Sequence, residues 1–379
     1  MSARSVTEIS SVSVYVVGPP VARYTWAYDL PTHYMTHTLV VLRDGSGLEG
    51  IGGAATFTPH DWDCTLAESL RTLLPDLIGR EVSDVEAIWE RLRPRTLPRP
   101  YGAQAAVDMA LWDLRGKREG APLYKLFGAT RERVPAYAST PLFDSIDMYM
   151  DKVAELREMG FHAVKFHAWG QPERDLALCR AARSRFPDFT FMLDAEGNYT
   201  HEEALRAAHT LAELRFTWLE APLPDFDIGG YRDLVRADIL HILPAGNWIV
   251  ELPVVEEMLR TRTWGGLRFD VGTCGGITPA RKLLTLAERS NMNAEVQCWS
   301  YMPQQAANLH LILSSERCTY FEYPIPPESF VHGVQFASVI RLDSEGCVAP
   351  PSGPGLGVQL DWEQIEAATI MRLSFGVDC

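Results

Sequence analysis

Little in this chain is suited to holding a polyanion. Its 379 residues carry 35 Lys and Arg against 49 Asp and Glu, a formal net charge of −14. Phosphate backbones are held by basic surfaces, so nucleic-acid binding is excluded as the main activity. A small anionic substrate is not excluded, because a buried metal and one lysine can reverse a local field. Closely spaced cysteines are missing as well. The seven lie at 64, 179, 274, 298, 318, 347 and 379, and no pair has the spacing of a zinc knuckle or a redox motif. Their odd number fits a reducing compartment, with most of them acting as small buried apolar residues. No apolar run reaches the roughly 20 residues of a membrane span. The first one, Val12–Val17, alternates Val with Ser at its start and reads as a strand, with no basic leader before it. The protein is expected to be cytoplasmic. Heptads, solenoid repeats and low-complexity tracts are lacking. The glycines of Gly272–Gly276 come without a P-loop lysine or dinucleotide spacing, so they mark a turn before a helix starting at Thr278-Pro279.

What is present is the texture of an ordinary globular enzyme, 46% hydrophobic and 22% charged. The length suits two domains, one of them a full barrel of ~250 residues. Residues 6–55 read as strands and turns, with Val12–Val17 and His37–Arg43 as strands and Gly18–His33 as a loop between them. Thr65–Leu126 reads as mostly helical, broken at Pro94–Pro100, with Ala105, Asp108, Met109, Trp112 and Asp113 at helical spacing. From Val134 short apolar strands alternate with amphipathic helices, the pattern of repeated βα units. Eight strands are expected, ending near Ala138, His167, Asp194, Glu220, Pro244, Asp270, Gln297 and Glu322. Lys165 and His167, Asp194, Glu220, Asn247, Asp270, Gln297 and Glu322 fall at or just past successive strand ends. They recur about every 25–30 residues, one βα unit, which puts one polar group per unit on the rim where barrels carry their active sites. Beyond residue 340 the run Pro350–Gly357 is rich in turn residues and reads as a return toward the N-terminal region.

These residues bring a family into view. The helix Ala105–Arg115 is followed by Gly120-Ala121-Pro122-Leu123 and Leu126-Phe127-Gly128. Val164-Lys165-Phe166-His167, Leu193-Asp194-Ala195-Glu196-Gly197-Asn198 and Trp218-Leu219-Glu220-Ala221-Pro222 come next. Asp270-Val271-Gly272, Gly275-Gly276-Ile277-Thr278 and Gly353-Pro354-Gly355-Leu356-Gly357 complete the set. Each is weak alone; in this order, over nearly the whole chain, they are specific. The chain resembles the enolase superfamily, and within it the mandelate racemase-like group. The resemblance implies an α/β fold: a (β/α)7β TIM-like barrel over residues 131–340, capped by an α+β domain from residues 1–130 and the C-terminal segment 341–379. It also implies a Mg2+ ion that holds a carboxylate substrate while its α-proton is removed to give an enediolate.

The residues support that chemistry in their own right. A proton taken from beside a carboxylate leaves a dianion, and a hard cation held by oxygen ligands relieves it. Asp194, Glu220 and Asn247 are the expected ligands, although the resembling family usually has Glu at the third place. Lys165 and His167 lie two apart on a strand and share a face, with Phe166 on the other. The family's second lysine is replaced here by His167, which is the expected base, with Lys165 holding the substrate carboxylate or tuning that base. Asp270 pairs with a histidine in mandelate racemase-like enzymes. Here Gln297 stands at the matching place, and glutamine cannot move a proton near neutral pH. Glu322 is expected either to hydrogen-bond the substrate, if protonated, or to pair with Lys165; Glu196 is a further candidate. Tyr24, Trp26 and His33, in the segment Pro20–His37, and the glycine-rich Gly50–Ala55 are expected to shape specificity as capping loops. The missing histidine favours a lyase, an acid-sugar dehydratase, over an isomerase such as a racemase, epimerase or lactone cycloisomerase. A degenerate barrel that binds a carboxylate without turnover is the alternative from another class, and a homo-oligomer is expected.

Overall fold

The computed structural model describes residues 5–18, 36–56, 60–95, 101–300, 302–325 and 340–376. Three strands form an antiparallel meander, β1 (Ile9–Val17), β2 (Thr36–Asp44) and β3 (Glu49–Thr56). β1 alternates at its start, with Val12 and Val14 buried and Ser11 and Ser13 less so, and is buried on both faces from Val14 to Val17. The glycines of β3, expected from sequence to lie in a capping loop, are instead inside this sheet. Their smallness serves packing. A Cβ at Gly50 would stand 2.3 Å from the Ala110 carbonyl oxygen, and one at Gly52 would stand 2.0 Å from that of Ala106. The helix Tyr101–Glu119 therefore lies directly on the strand, which no larger residue would permit.

Eight short parallel strands follow: β4 (Val134–Ser139), β5 (Ala163–His167), β6 (Thr190–Asp194), β7 (Trp218–Glu220), β8 (His241–Leu243), β9 (Leu267–Phe269), β10 (Ala294–Val296) and β11 (Phe321–Pro324). One helix separates each from the next, so the unit is a (β/α)7β barrel. β11, β4, β5, β6, β7 and β8 pair in that order, and β9 pairs with β10. The register decides the site. His167 stands opposite Asp194, and Asp194 opposite Glu220, so three polar strand ends lie side by side on one rim. Beneath them Tyr137, Ala163, Met192, Trp218 and Leu243 fill the barrel floor. The start of His201–Glu213 is fixed by a reciprocal capping box between Thr200 and Glu203.

The last segment returns to both earlier units. β12 (Cys347–Val348) pairs antiparallel with β4, and β13 (Thr369–Gly376) pairs antiparallel with β1. Between them the chain passes Gly116, against which a Cβ at that residue would meet the Gly355 Cα at 2.6 Å. Asp113, fully buried, ties the joint. Its carboxylate accepts the backbone N–H of Ile51 at 2.8 Å and of Leu356 at 2.7 Å, and the Lys117 ammonium lies 2.7 Å away. Asp108 of the same helix accepts the backbone N–H and hydroxyl of Thr278 at 2.9 and 2.6 Å, which satisfies the start of Ile277–Arg289 across the cap–barrel boundary. Burial pushes the Asp108 carboxyl up to about 7, against these hydrogen bonds. Among the described residues no helix is long and apolar enough to cross a membrane.

Asp113→Ala leaves two buried backbone N–H groups without acceptors, each worth about 1–3 kcal/mol. Denaturant unfolding should show the variant less stable by about 3 kcal/mol; a loss below about 0.5 kcal/mol would show that the joint does not depend on this carboxylate.

Candidate active site

β5 turns Lys165 and His167 into the barrel and Phe166 out onto Tyr149 and Phe191. The Lys165 ammonium is 1% exposed and lies 3.0 Å from Asp194 Oδ2, 2.9 Å from Glu220 Oε1 and 2.9 Å from Glu322 Oε1. Carboxylates from β6, β7 and β11 thus converge on one cation. Its three hydrogens are taken up by the protein's own acids, so it has none free to grip a substrate carboxylate. Burial and the nearby Arg268 act to lower its pKa, but Glu220 and Glu322 outweigh them and hold it well above the ordinary lysine range.

A second buried cation stands in the same place. Arg268, 1% exposed on β9, sets its Nε 2.5 Å from Glu220 Oε1 and its Nη2 3.1 Å from Glu322 Oε2. The sequence reading missed it, although a signal was available: Arg268 sits two residues before Asp270 and so shares its inward face. Glu322 receives Lys165 and Arg268 together with the Ser139 hydroxyl at 2.9 Å and the Cys298 N–H at 3.1 Å. Burial favours its protonated form, yet Lys165 and Arg268 prevail and hold it down to about 2. It is therefore an ionised acceptor paired with Lys165, and does not fit the protonated donor weighed from sequence. Burial likewise opposes the charge on Asp194, and Lys165, then His167, hold that carboxyl well below the usual range.

His167 is oriented by its backbone neighbours. Nδ1 lies 2.6 Å from the Thr140 carbonyl oxygen, which can only accept, so Nδ1 carries the proton. The ring stands edge-on to Trp299 at 5.8 Å, and the Trp299 indole N–H donates to the Ser139 hydroxyl at 2.8 Å. Nε2 then faces Asp194 Oδ2 at 3.3 Å and Glu196 Oε1 at 3.4 Å. Glu196 is brought there by a left-handed turn, with φ of +52° followed by +75° at Gly197, and its N–H donates to Asp194 Oδ1 at 3.0 Å. A non-glycine residue in that region costs energy and is kept where the surroundings require it. Burial, then the Asp194 charge, push the Glu196 carboxyl up to about 7.

One ligand atom each from His167, Asp194 and Glu196 lies within 4.8 Å of the others. With Nδ1 protonated, the neutral ring turns a lone pair toward two carboxylate oxygens, an arrangement that a cation among them would stabilise. The oxygen-rich donor set suits a hard divalent ion.

The rim opposite is made of amides. Asp270 accepts Gln304 Nε2 and the Gly272 N–H at 2.5 Å each, and Asn308 Nδ2 at 2.7 Å. Burial nonetheless pushes it up to about 6. Gln304 and Asn308 belong to the helix Met302–Leu313, and the sequence reading named neither. Gln297 donates its side-chain amide to the Ala245 carbonyl at 2.6 Å and to Asn247 Oδ1 at 3.1 Å, while its backbone carbonyl accepts Asn308 Nδ2 at 2.8 Å. Asn247 is exposed, with its amide oxygen engaged by that contact. Tyr24, Trp26 and His33 lie outside the described residues.

Comparison with known proteins gives the same frame. Residues 12–128 match the family model of the mandelate racemase/muconate lactonizing enzyme N-terminal domain, and residues 148–365 match that of the enolase C-terminal domain-like family. The 3,6-anhydro-alpha-L-galactonate cycloisomerase of Streptomyces coelicolor is 30% identical over 86% of this chain and 89% of its own length. The L-talarate/galactarate dehydratase of Salmonella typhimurium is 27% identical over 76% of this chain and 70% of its own. The crystal structure of a mandelate racemase/muconate lactonizing enzyme-type protein from Pseudovibrio sp. superposes with a TM-score of 0.94 at 35% identity, covering 97% of this chain and 99% of that one. A racemase from Streptomyces coelicolor with bound magnesium superposes with a TM-score of 0.83 at 26% identity, covering 96% of this chain and 100% of that one. The chain belongs to the enolase superfamily, in its mandelate racemase/muconate lactonizing enzyme group.

Proposed function

We propose that this protein is a Mg2+-dependent enzyme that takes the α-proton of an acid sugar from one face and releases a β-hydroxyl as water. The observation that carries this reading is the asymmetry of the rim. On one side His167 presents Nε2, with its tautomer set by the Thr140 carbonyl. On the other stand Gln297, whose amide is neither acid nor base near neutral pH, and Asp270, whose oxygens are engaged by Gln304, Asn308 and Gly272.

Asp194, with Glu196 and Glu220 beside it, would hold the Mg2+. Bound there, the ion supplies Lewis-acid relief of the negative charge that builds on the substrate carboxylate. The chain's own groups do the rest. His167 Nε2 receives the α-proton as the carbon's electron pair moves into the carboxylate. The imidazolium then hands that proton to the departing hydroxyl on the same face, so the base is restored as water leaves. Lys165 and Arg268 hold Glu220 and Glu322 in place and keep Glu322 ionised, and Trp299 covers the edge of the imidazole. Specificity we assign to the capping segments, Tyr24, Trp26 and His33 among them.

A second reading has one observation in its favour. The 30% identity to a 3,6-anhydro-alpha-L-galactonate cycloisomerase extends over most of both chains, and ring opening by loss of a β-oxygen also needs a base on one face only.

His167→Gln should lower α-proton exchange and water loss together, by about 10²–10⁴-fold, with an unchanged circular-dichroism spectrum. Exchange that persists in the variant would assign the base elsewhere. Proton NMR of sugar acids incubated with the enzyme in D2O should show turnover or exchange without build-up of the α-epimer. An epimer that accumulates would demand a second base and end the one-face mechanism.

A further inference from the structure

His167 and Glu196 face each other at 3.4 Å, yet the sheet places the first and not the second. The β5–β6 ladder ends at the pair His167–Asp194, and Glu196 lies two residues beyond it. Past that point the two loops must be held by other means. The turn at Glu196 is tied on its far side to the chain after β7. There the Gly197 N–H donates to the Ala221 carbonyl at 2.7 Å and the Tyr199 N–H to that of Pro222 at 3.1 Å. Toward β5 the turn meets one buried acid. Asp175, 0% exposed near the start of the helix Pro172–Arg185, accepts the Tyr199 hydroxyl on Oδ2 at 2.8 Å and the Trp169 N–H on Oδ1 at 2.9 Å. One carboxylate therefore takes a donor from each loop, two residues after His167 and three after Glu196. The loops also touch directly: Gly170 has φ of +67°, and a Cβ on it would stand 2.7 Å from Asn198 Nδ2.

The loop after β5 is gripped twice. Trp169, buried, lies edge-on to Tyr149 with ring centres 5.4 Å apart, and the Arg174 guanidinium covers it at 3.7 Å. The Tyr149 hydroxyl donates to the His167 carbonyl and accepts the Phe143 N–H at 3.1 Å. The main chain of the base is thus held at residue 167 by Tyr149 and at residue 169 by Asp175. A buried carboxylate with both oxygens engaged cannot shift without leaving donors unpaired.

We propose that Asp175 is a positioning residue of this site: it locks the loop after His167 to the loop after Glu196 and so fixes the gap between imidazole and carboxylate. The role rests on the reading of His167 as the base and deepens it. Asp175 is itself fully buried and acts through Trp169 and Tyr199. A misplacement of about 1 Å in a reacting group can cost about 10²-fold in rate, so a hydrogen bond set back from the chemistry contributes to it.

Imidazole 15N NMR of the protein in a Mg2+ buffer, with the His167 signals assigned by their loss in H167Q, reads the placement of the ring without turnover. Y199F keeps the Trp169 link and removes the one to the turn, so the His167 signals should shift while the circular-dichroism spectrum stays that of wild type. D175A should displace them too. D175N can keep both links, its amide oxygen accepting from Trp169 and its amide nitrogen donating to the Tyr199 oxygen, and should leave the signals at their wild-type positions. On a sugar acid that the wild type turns over, Y199F should lower kcat about 10–100-fold with KM within about threefold. Unmoved His167 signals in Y199F overturn the positioning role, and so does a shifted signal beside an unchanged kcat. A D175N protein displaced as far as D175A overturns it as well; where D175A does not fold, Y199F decides. Signals that shift as expected, in a protein that exchanges the α-proton of no sugar acid, uphold the lock and overturn the proposed reaction.

Discussion

One buried ammonium organises the catalytic end of this protein. Lys165 reaches Asp194, Glu220 and Glu322, which come from three different strands, and is itself 1% exposed. Acids packed this closely repel one another, and burial strengthens the repulsion by lowering the local dielectric. Without the lysine the three strand ends could not bring their carboxylates to one point. Removing one partner of such a buried group leaves an uncompensated charge, a penalty of about 3–5 kcal/mol in comparable sites. The rim is therefore held together by the same charges that give it chemistry. Its geometry is set before any ligand arrives, as preorganised sites require.

Arg268 adds a second fixed cation and changes the character of the site. It shares Glu220 and Glu322 with Lys165, so two buried acids face two internal cations; Glu322 stays ionised, while burial pushes the Glu220 carboxyl well above the usual range against the pull of Arg268 and Lys165. Asp194 and Glu196 remain closer to the opening, with His167 between them. The outcome is a layered arrangement: apolar floor, a sealed ionic layer, then a reactive layer of oxygen and imidazole. Each layer follows from strand alternation, since inward residues two apart on one strand occupy successive levels.

Much of this is legible in the sequence. The rhythm of polar residues at strand ends gave the barrel and placed Lys165, His167, Asp194 and Glu220 on one rim, because spacing by βα units is a long-range regularity that survives local ambiguity. What was missed depended on geometry that spacing does not encode. Arg268 lies between Leu267 and Phe269, and an arginine within an apolar strand draws attention only once its buried partners are known. Glu196 owes its place to a left-handed backbone, which a glutamate does not advertise. Gly50 and Gly52 read as loop residues in the sequence because glycine marks both turns and close approaches, and only the helix lying on them separates the two. Gln304 and Asn308 reach Asp270 from a helix more than thirty residues further along the chain.

The pairing of β13 with β1 has a bearing on how the molecule comes into being. Synthesis runs from the N-terminus, so the earliest strand emerges with one edge open and stays so until residues 369–376 leave the ribosome. All eight barrel strands are made in that interval. An open edge of this kind is a template for unwanted strand addition. The nascent chain thus keeps this edge open while the whole barrel is made, and the arrival of β13, rather than barrel closure, is the event that ends the hazard.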